Sequence, residues 1–312
     1  MRALVTGGGG FIGSHLVRRL VSNGADVTVT ARPGSKPWRL SSLGLDVNVV
    51  PLALGEPVDT DLRAAMAGTD VVFHLAAAGV DPSKDSGADV VCANVVGTVR
   101  LLEAAAEAKV RRFVNCGSCF EYGGGSRLRE DAMPCPRSEY AASKSAAWIV
   151  ASAFARRYGL SVVTVRPFTV YGPQEQEYRL VPSTIAGALA GDAIDLTPGE
   201  QTRDFVYVED VVEGILAAAE ASETGTFNLC TGRETSVREL AETVVELVGT
   251  GTLRLGALPY RSTELWTLSG DPSAAGDQLG WTAGTDLRTG LLKTIEWFRA
   301  RASEATYERA QA

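Results

Sequence analysis

Tyr140 and Lys144 are the two side chains in this sequence whose types and spacing best fit a chemical role. Residues four apart share one face of a helix, so the Lys144 ammonium can lie beside the Tyr140 phenol and lower the pKa of that phenol. Such a phenol can exchange a proton with a carbinol oxygen while hydride moves at the carbon. Two further features support a catalytic role for this pair: Ser118, which follows a predicted strand, and a glycine-rich segment near the N-terminus.

The glycine-rich segment starts directly after the first predicted strand. Gly7, Gly10 and Gly13 recur at intervals of three residues and lead into a predicted helix, a placement typical of dinucleotide sites. Glycine permits a tight turn and close approach of the backbone to a pyrophosphate, and a helix N-terminus favours negative charge. The segment therefore predicts a nicotinamide dinucleotide as cofactor.

The residues after the second predicted strand bear on the choice between NAD and NADP. A carboxylate there would accept hydrogen bonds from the ribose 2′-hydroxyl of NAD. This sequence instead has Ala31, Arg32 and Ser35, followed by Lys36 and Arg39. Because an arginine can pair with a 2′-phosphate, NADP(H) is favoured. NAD(H) stays possible, since these cations could also be solvated loop residues.

The composition is that of a globular chain. Its 312 residues are 45% hydrophobic, which suits one large or two closely joined domains. The net charge of -7 argues against a nucleic acid partner. No apolar run approaches the roughly 20 residues of a membrane-spanning helix, and the first predicted strand begins at Arg2. We therefore expect no leader peptide, no membrane partner and a cytoplasmic location.

The five cysteines are scattered along the sequence, and only two histidines are present. Cys116 and Cys119 form a C-x-x-C pair, but this pair follows a predicted strand instead of opening a helix, where the helix dipole would stabilise a thiolate. We expect free thiols and no metal site.

Short apolar runs alternate with helical patterns up to about residue 167, which predicts parallel strands joined by helices. Prolines and glycines then break the chain into shorter elements. The prediction is an α/β protein with a Rossmann-type doubly wound parallel sheet and a smaller α/β C-terminal substrate domain. We assign residues 1–167 and about 205–230 to the NAD(P)-binding domain, and 168–204 and 231–312 to the substrate domain. Two long helices are predicted, over 89–108 and 140–158.

The ordered motifs resemble those of extended short-chain dehydrogenases/reductases of the nucleotide-sugar epimerase/dehydratase kind. The matching segments are TGGGGFIGSHL (6–16), VFHLAA (72–77), NVVGT (94–98), YAASK (140–144), RPFTVYGP (166–173), TRDFVYVED (202–210), FN (227–228) and LGW (279–281).

The resemblance implies roles for single residues. Tyr140 would be the acid/base, Lys144 would hold the nicotinamide ribose, and Ser118 would hydrogen-bond the substrate oxygen. Together with Arg32 and Ser35, the expected cofactor-binding residues are Gly7, Gly10, Phe11, Ile12, Gly13, Leu75, Ala76, Ala77, Asn94, Asn115, Tyr140, Lys144 and Pro167. The expected substrate-binding residues are Ser118, Cys119, Phe120, Thr169, Arg179, Val181 and Arg203. Arg203 would grip the nucleotide or its phosphates, the alternative being a surface pair with Asp204 or Glu200.

The departures from the family pattern narrow the chemistry. Dehydratases of this kind carry Asp and Glu directly after the Ser/Thr, where this chain has Cys119 and Phe120. Neither side chain can transfer that proton, and decarboxylases also need a carboxylate at the Phe120 position. Glu121 should point to the opposite side of an extended strand as a structural carboxylate, unless a turn brings it into the pocket. Thr169 replaces an Asn that is frequent in the family.

The leading hypothesis is an NADPH-dependent reduction of an NDP-4-keto-6-deoxyhexose, with Tyr140 as the acid. The alternative is an NAD-dependent nucleotide-sugar C4 epimerase that uses the same residues. A dehydratase or decarboxylase fits the residues less well, and a non-catalytic NADP sensor fits least. The resemblance also implies a homodimer whose subunits pair two helices each in a four-helix bundle.

Overall fold

The short apolar runs form strands and the segments between them form helices in the computed structural model, which describes residues 1–35, 37–42, 44–45, 47–58, 60–80 and 85–311. The strands are β1 (Arg2–Thr6), β2 (Asp26–Ala31), β3 (Asn48–Pro51), β4 (Val71–His74), β5 (Arg112–Cys116), β6 (Gly125–Leu128), β7 (Val162–Pro167), β8 (Thr169–Tyr171), β9 (Ala193–Leu196), β10 (Thr202–Arg203), β11 (Phe205–Tyr207), β12 (Gly225–Leu229), β13 (Thr235–Ser236), β14 (Thr252–Leu255) and β15 (Thr267–Gly270). The α-helices are α1 (Phe11–Ser22), α2 (Trp38–Ser42), α3 (Thr60–Met66), α4 (Gly87–Val91), α5 (Gly97–Glu107), α6 (Glu139–Tyr158), α7 (Leu180–Ala190), α8 (Val208–Glu220), α9 (Val237–Val248), α10 (Ser273–Leu279) and α11 (Leu287–Gln311). A π-helix covers Cys92–Val96 and a 3₁₀-helix covers Cys119–Tyr122.

Seven parallel strands form the central sheet in the order β3–β2–β1–β4–β5–β7–β12. The strand order reverses between β1 and β4, so the chain leaves these two strands toward opposite ends of the sheet, and α/β proteins bind ligands at the carboxyl edge of such a reversal. Separate hydrophobic clusters cover the two faces of the sheet, and every residue of β4, β5 and β7 is buried between them. The predicted Rossmann-type doubly wound sheet is confirmed.

The helix predicted over residues 89–108 is divided into three parts. The π-helix Cys92–Val96 separates α4 from α5. A π-turn is wider than an α-turn and often lies at functional sites. It carries Asn94, whose side chain hydrogen-bonds the backbone at Ala78 and the Ser143 hydroxyl. These contacts join residues that lie far apart in the sequence, so the local helical periodicity could not indicate the π-helix.

The remaining strands form smaller sheets. The four-stranded sheet has the order β13–β10–β15–β6, and two further pairs join β11 to β8 and β14 to β9. A third hydrophobic cluster fills this part of the molecule. Strand β6 lies in the sequence range assigned to the dinucleotide domain but pairs in the second sheet, whereas β12 adds a seventh strand to the first. None of the helices in the described ranges is long and apolar enough to cross a membrane.

Asp204 connects these sheets at the turn between β10 and β11. Its side chain is fully buried. One carboxylate oxygen accepts from the backbone N–H and the hydroxyl of Thr231 at 2.8 and 2.7 Å. The other accepts from the N–H groups of Gly232 at 2.8 Å and Gly270 at 3.4 Å. The carboxylate thus holds the loop after β12 and the end of β15 at one point.

We predict that Asp204→Ala lowers the free energy of unfolding by about 3 kcal/mol or more, because three buried N–H groups lose their acceptor. Urea denaturation followed by circular dichroism measures this change. Asp195→Ala removes an exposed carboxylate that pairs with Arg254 and is the control, which should leave the midpoint almost unchanged. Equal midpoints for the two variants would contradict the role given to Asp204.

Candidate active site

The glycine loop after β1 lies directly against the loop after β4. Gly7 has φ of +71°, and a Cβ atom there would lie 2.7 Å from the Ala76 nitrogen. A Cβ atom on Gly13 would lie 2.2 Å from the Gly7 carbonyl oxygen. Helix α1 begins at Phe11 and has no side-chain cap, so its first N–H groups remain available to an anion. The cradle therefore fits the pyrophosphate of a dinucleotide.

His74 fixes the start of the loop after β4. Its Nδ1 lies 2.7 Å from the Thr6 hydroxyl and its Nε2 lies 2.9 Å from the Thr98 hydroxyl. Because Thr98 donates its own proton to the Asn94 carbonyl at 2.6 Å, the network assigns the proton of the imidazole to Nε2. Burial, helped by the Lys144 charge, lowers the pKa of His74 to about 3. The ring is a neutral structural bridge, and Thr6 in turn accepts from the Ala76 N–H.

Asn94 fastens the same loop to the helix that carries Tyr140. Its amide oxygen accepts from the Ala78 N–H at 2.7 Å, and its amide nitrogen donates to the Ala78 carbonyl at 3.0 Å and to the Ser143 hydroxyl at 2.9 Å. These bonds position Leu75, Ala76 and Ala77, which precede Ala78. A direct contact between Asn94 and the cofactor stays a prediction.

Tyr140 and Lys144 lie in the first turns of α6, which Ser138 caps by accepting from the Ala141 N–H at 3.2 Å. The phenol of Tyr140 lies beside the Ser118 side chain, which favours the ionised form of the phenol. Burial raises the pKa of Tyr140 well above its ordinary value, and the nearby Cys116 thiol adds to this shift. The prediction of a lowered pKa is wrong for this structure, because desolvation of the phenol outweighs the influence of neighbouring charge.

Lys144 is buried, with 4% of its surface exposed. No carboxylate in the described part of the chain forms an ion pair with its ammonium, whose charge acts on His74 and Cys116. A buried ammonium needs hydrogen-bond acceptors, and ribose hydroxyls would supply them. Asn115 is similar: its amide nitrogen lies 3.3 Å from the Thr164 hydroxyl, but its buried amide oxygen has no partner among the described residues. Both groups fit a bound dinucleotide.

Ser118 caps the 3₁₀-helix that follows β5. Glu121 belongs to this turn and accepts from the Ser118 N–H at 2.7 Å, so the prediction that Glu121 lies on the far side of an extended strand is wrong. A tight turn directs it inward. Cys119 is buried, and burial raises the pKa of its thiol to about 12. Phe120 is 36% exposed. Neither residue can exchange a proton at neutral pH.

The two cysteines of the C-x-x-C pair are buried, and all five cysteines are free thiols. Burial also raises the pKa of the Cys116 thiol. The prediction of free thiols is confirmed, and protonated thiols in this setting are poor redox groups.

Arg32 and Ser35 lie in an exposed turn after β2. Ser35 donates its N–H and its hydroxyl to the Arg32 carbonyl at 3.0 and 2.7 Å. No carboxylate within the described ranges forms an ion pair with the Arg32 side chain. Lys36 lies outside the described residues. Arg39 is different, since it is buried and donates to the carbonyls of Gln174 at 3.0 Å and Gly9 at 3.5 Å.

Three of the residues expected to bind substrate lie in β8 and at the start of α7. Thr169 has a buried hydroxyl with no partner in the described part of the structure. Arg179 precedes α7 with its guanidinium 5.7 Å from the Tyr178 ring. Val181 is buried in the third hydrophobic cluster. Pro167, which was expected to bind the cofactor, is buried at the end of β7. Their ligand contacts stay predictions.

Arg203 has an acidic partner that the sequence did not identify. Its guanidinium donates to Glu264 at 2.9 Å and to the carbonyls of Thr202 and Leu265 at 2.8 and 2.6 Å. The alternatives considered from the sequence were Asp204 and Glu200. Glu264 lies about sixty residues away in a segment without periodic pattern, so no local signal linked the two. Binding of a phosphate by Arg203 stays a prediction and would require exchange of Glu264.

Comparison with known proteins agrees with this geometry. Residues 3–230 match the model of the NAD dependent epimerase/dehydratase family. The chain is 34% identical to the UDP-glucose 4-epimerase of Mycolicibacterium smegmatis, over 97% of this chain and 100% of the relative. It is 32% identical to a dTDP-glucose 4,6-dehydratase of Streptomyces niveus, over 96% and 93%.

A solved structure shows the same fold with a cofactor bound. The dTDP-glucose 4,6-dehydratase DesIV from Streptomyces venezuelae, solved with NAD, superposes with a TM-score of 0.87 at 30% identity, over 97% of this chain and 98% of that one. The family match, the relatives and the arrangement of Ser118, Tyr140 and Lys144 lead to one conclusion: this chain is an enzyme of the NAD-dependent epimerase/dehydratase family, whose members modify nucleotide sugars.

Proposed function

We propose that the protein is an NADPH-dependent reductase of an NDP-4-keto-6-deoxyhexose. The observation that carries the choice of cofactor is the end of β2, where Arg32 stands exposed and no carboxylate is available for a ribose 2′-hydroxyl. A guanidinium at this position can form paired hydrogen bonds with a 2′-phosphate. The proposal thus rests on a residue whose charge is otherwise unpaired in the described ranges.

The chain's own residues would hold the dinucleotide along the carboxyl edge of the sheet. The backbone at Gly7, Gly10 and Gly13 would receive the pyrophosphate, and the buried ammonium of Lys144 would bind the nicotinamide ribose. The partnerless amide oxygen of Asn115 can accept from an amide N–H. When bound, the reduced nicotinamide supplies a hydride.

Tyr140 supplies the proton in the proposed reduction. Its raised pKa keeps the phenol protonated at neutral pH, which is the form an acid requires. The Ser118 hydroxyl, which lies beside that phenol, would bind the carbonyl oxygen of the substrate. As hydride reaches the C4 carbon, the phenol proton passes to the forming alkoxide, and the product is a C4 alcohol.

The residues beside Ser118 argue against a net dehydration. Loss of water across C5 and C6 needs an acid and a base next to the Ser/Thr, whereas Cys119 keeps its proton and Phe120 has none to transfer. Both carboxylate oxygens of Glu121 already accept hydrogen bonds, one from the Ser118 N–H and one from Arg166. The described site therefore fits one hydride and one proton transfer.

A second candidate is an NAD-dependent C4 epimerase of a UDP-sugar. It is favoured by the 34% identity to a UDP-glucose 4-epimerase along the full length of both chains. This reaction would use Ser118, Tyr140 and Lys144 in the same places, with tightly held NAD. Protein that is purified with NAD still bound and interconverts UDP-glucose and UDP-galactose would favour the epimerase.

We predict NADPH consumption when the purified protein receives a dTDP-4-keto-6-deoxyhexose, followed as loss of nicotinamide absorbance. Tyr140→Phe should lower kcat by about 10² to 10⁴-fold, because the alkoxide loses its proton donor. Tyr158→Phe, an exposed position on the same helix, is the matched control and should retain full activity. No NADPH consumption by the wild type at saturating keto sugar would refute the reductase.

We predict that NADPH binds at least about tenfold more tightly than NADH, equivalent to roughly 1.4 kcal/mol. Arg32→Ala should abolish this difference by weakening NADPH alone, since NADH has no 2′-phosphate to lose. Arg111→Ala changes an exposed arginine that directly precedes β5 at the opposite edge of the sheet and should change neither affinity. Fluorescence titration gives the dissociation constants, and tighter binding of NADH would contradict the proposal.

We also propose a homodimer formed by α6 and the α4–π–α5 segment. These helices expose Val91 at 47%, Val96 at 38% and Ile149 at 55% of their surfaces, an apolar set that pairing of two copies would bury. Ile149→Glu should convert the dimer to a monomer in multi-angle light scattering. Leu292→Glu, at an exposed position of α11, should leave the mass at two subunits. A monomeric wild type would exclude the dimer.

A cytoplasmic location is part of the same proposal. All five cysteines are free in the structure, including the exposed Cys92 and Cys135. Unpaired exposed thiols are compatible with a reducing compartment.

A further inference from the structure

Arg166 and Glu121 form an ion pair in the interior, directly behind the Ser118 turn. Neither side chain has any exposed surface, with 0% for each. The Arg166 Nε donates to Glu121 Oε2 at 3.0 Å, and Nη2 lies 3.0 Å from the same oxygen. The other carboxylate oxygen, Oε1, accepts from the Ser118 N–H at 2.7 Å. One carboxylate therefore joins a fixed guanidinium to the backbone of Ser118.

The Arg166 guanidinium is also sandwiched between two aromatic rings. Its central carbon lies 4.8 Å from the Tyr122 ring, in the Ser118 turn, and 4.5 Å from the Trp148 ring. Trp148 follows Tyr140 and Lys144 at successive steps of four residues, on the same side of α6. Its ring N–H donates to the Thr226 hydroxyl at 2.8 Å. The guanidinium thus separates the helix that carries Tyr140 from the turn that carries Ser118.

A further nitrogen of the guanidinium, Nη1, is also hydrogen-bonded. This nitrogen donates to the Tyr122 hydroxyl at 2.9 Å. That hydroxyl donates to the Asn228 amide oxygen at 2.8 Å, and the Asn228 amide nitrogen donates to the Leu128 carbonyl at 2.8 Å. The chain of bonds reaches β12 of the first sheet and β6 of the second.

A buried ion pair contributes little to stability compared with apolar packing of the same volume, because both charges lose their hydration. What it does provide is a fixed orientation of its neighbours, since a planar guanidinium holds its hydrogen bonds and its stacked rings in defined planes. A displacement of about 1 Å between reacting groups can lower a rate by about 100-fold. Here the fixed orientation acts on the Ser118 turn and on α6, which carry Ser118 and Tyr140.

We propose that Glu121 and Arg166 are positioning residues that set the alignment of the Ser118 hydroxyl with the Tyr140 phenol. Glu121 orients Ser118 through its backbone, and Arg166 fixes the spacing between the turn and α6 through Tyr122 and Trp148. This inference rests on the proposed roles of Ser118 and Tyr140 and adds the groups that align them. Neither Glu121 nor Arg166 exchanges a proton with the substrate.

Three variants and a reference test this proposal. Glu121→Gln keeps the size of the side chain but places an amide against the guanidinium, while Trp148→Leu leaves the ion pair intact and removes one stacking ring. Glu246→Gln is the control, since this carboxylate also pairs with a guanidinium, that of Arg288, but at the surface and outside the network around Arg166. Ser118→Ala supplies the reference state in which the phenol has no hydroxyl beside it.

Two measurements separate alignment from stability. The first is the ¹³C resonance of the Tyr140 phenol carbon in ¹³C-tyrosine-labelled protein, assigned with Tyr140→Phe, which reports the influence of the Ser118 hydroxyl on the phenol without substrate. The second is kcat and KM on whichever probe the wild type turns over, a dTDP-4-keto-6-deoxyhexose or UDP-glucose. If neither probe reacts, the proposed function fails, and the resonance still tests the alignment.

We expect Glu121→Gln to move the Tyr140 resonance toward its Ser118→Ala position and to lower kcat by about 100-fold, with KM and NADPH affinity close to wild type. Trp148→Leu should act in the same direction with about a tenfold loss of kcat. Glu246→Gln should change neither quantity. A folded Glu121→Gln protein with an unmoved resonance would overturn the proposal. So would equal effects of Glu246→Gln. If Glu121→Gln does not fold, an unmoved resonance in Trp148→Leu overturns it.

Discussion

The close contact of the β1 and β4 loops is the constraint on which the rest of the site depends. Gly7 approaches Ala76 so closely that no side chain fits between them, and Gly13 lies equally close to Gly7. This contact brings the N-terminus of α1 to the point where the strand order reverses. His74 and Asn94 then extend the same arrangement, because they join the β4 loop to β1, to the π-helix and to the helix of Tyr140.

The buried polar groups around this point fall into two sets with different meanings. Asp204, His74, Glu121 and Arg166 have protein partners and act on the positions of strands and turns. In the described part of the chain, Lys144 is buried without a carboxylate partner, and the buried amide oxygen of Asn115 has no hydrogen-bond partner. Because unpaired buried polar groups are costly, the second set indicates where a polar ligand completes the structure.

The electrostatic setting of the site favours neutral side chains. Burial raises the pKa values of Tyr140, Cys116 and Cys119 and lowers that of His74, so these groups stay uncharged near neutral pH. Glu121 is held by Arg166. The phenol of Tyr140 is then the group best placed to give a proton, which links the burial of the site to the proposed reduction.

The sequence by itself determined the sheet and the glycine-rich turn and supplied the candidate catalytic residues, because these depend on local periodicity and short spacing. Tyr140, Lys144 and Gly13 could be proposed without coordinates for that reason. The tertiary structure alone decided the raised pKa of Tyr140, the π-helix at Asn94 and the pairing of Arg203 with Glu264, since desolvation and long-range contacts leave no local pattern. Glu121 shows most clearly the difference between what the sequence determines and what the tertiary structure decides. Its carboxylate was visible in the sequence, but its direction depended on a turn and on Arg166, which lies 45 residues away.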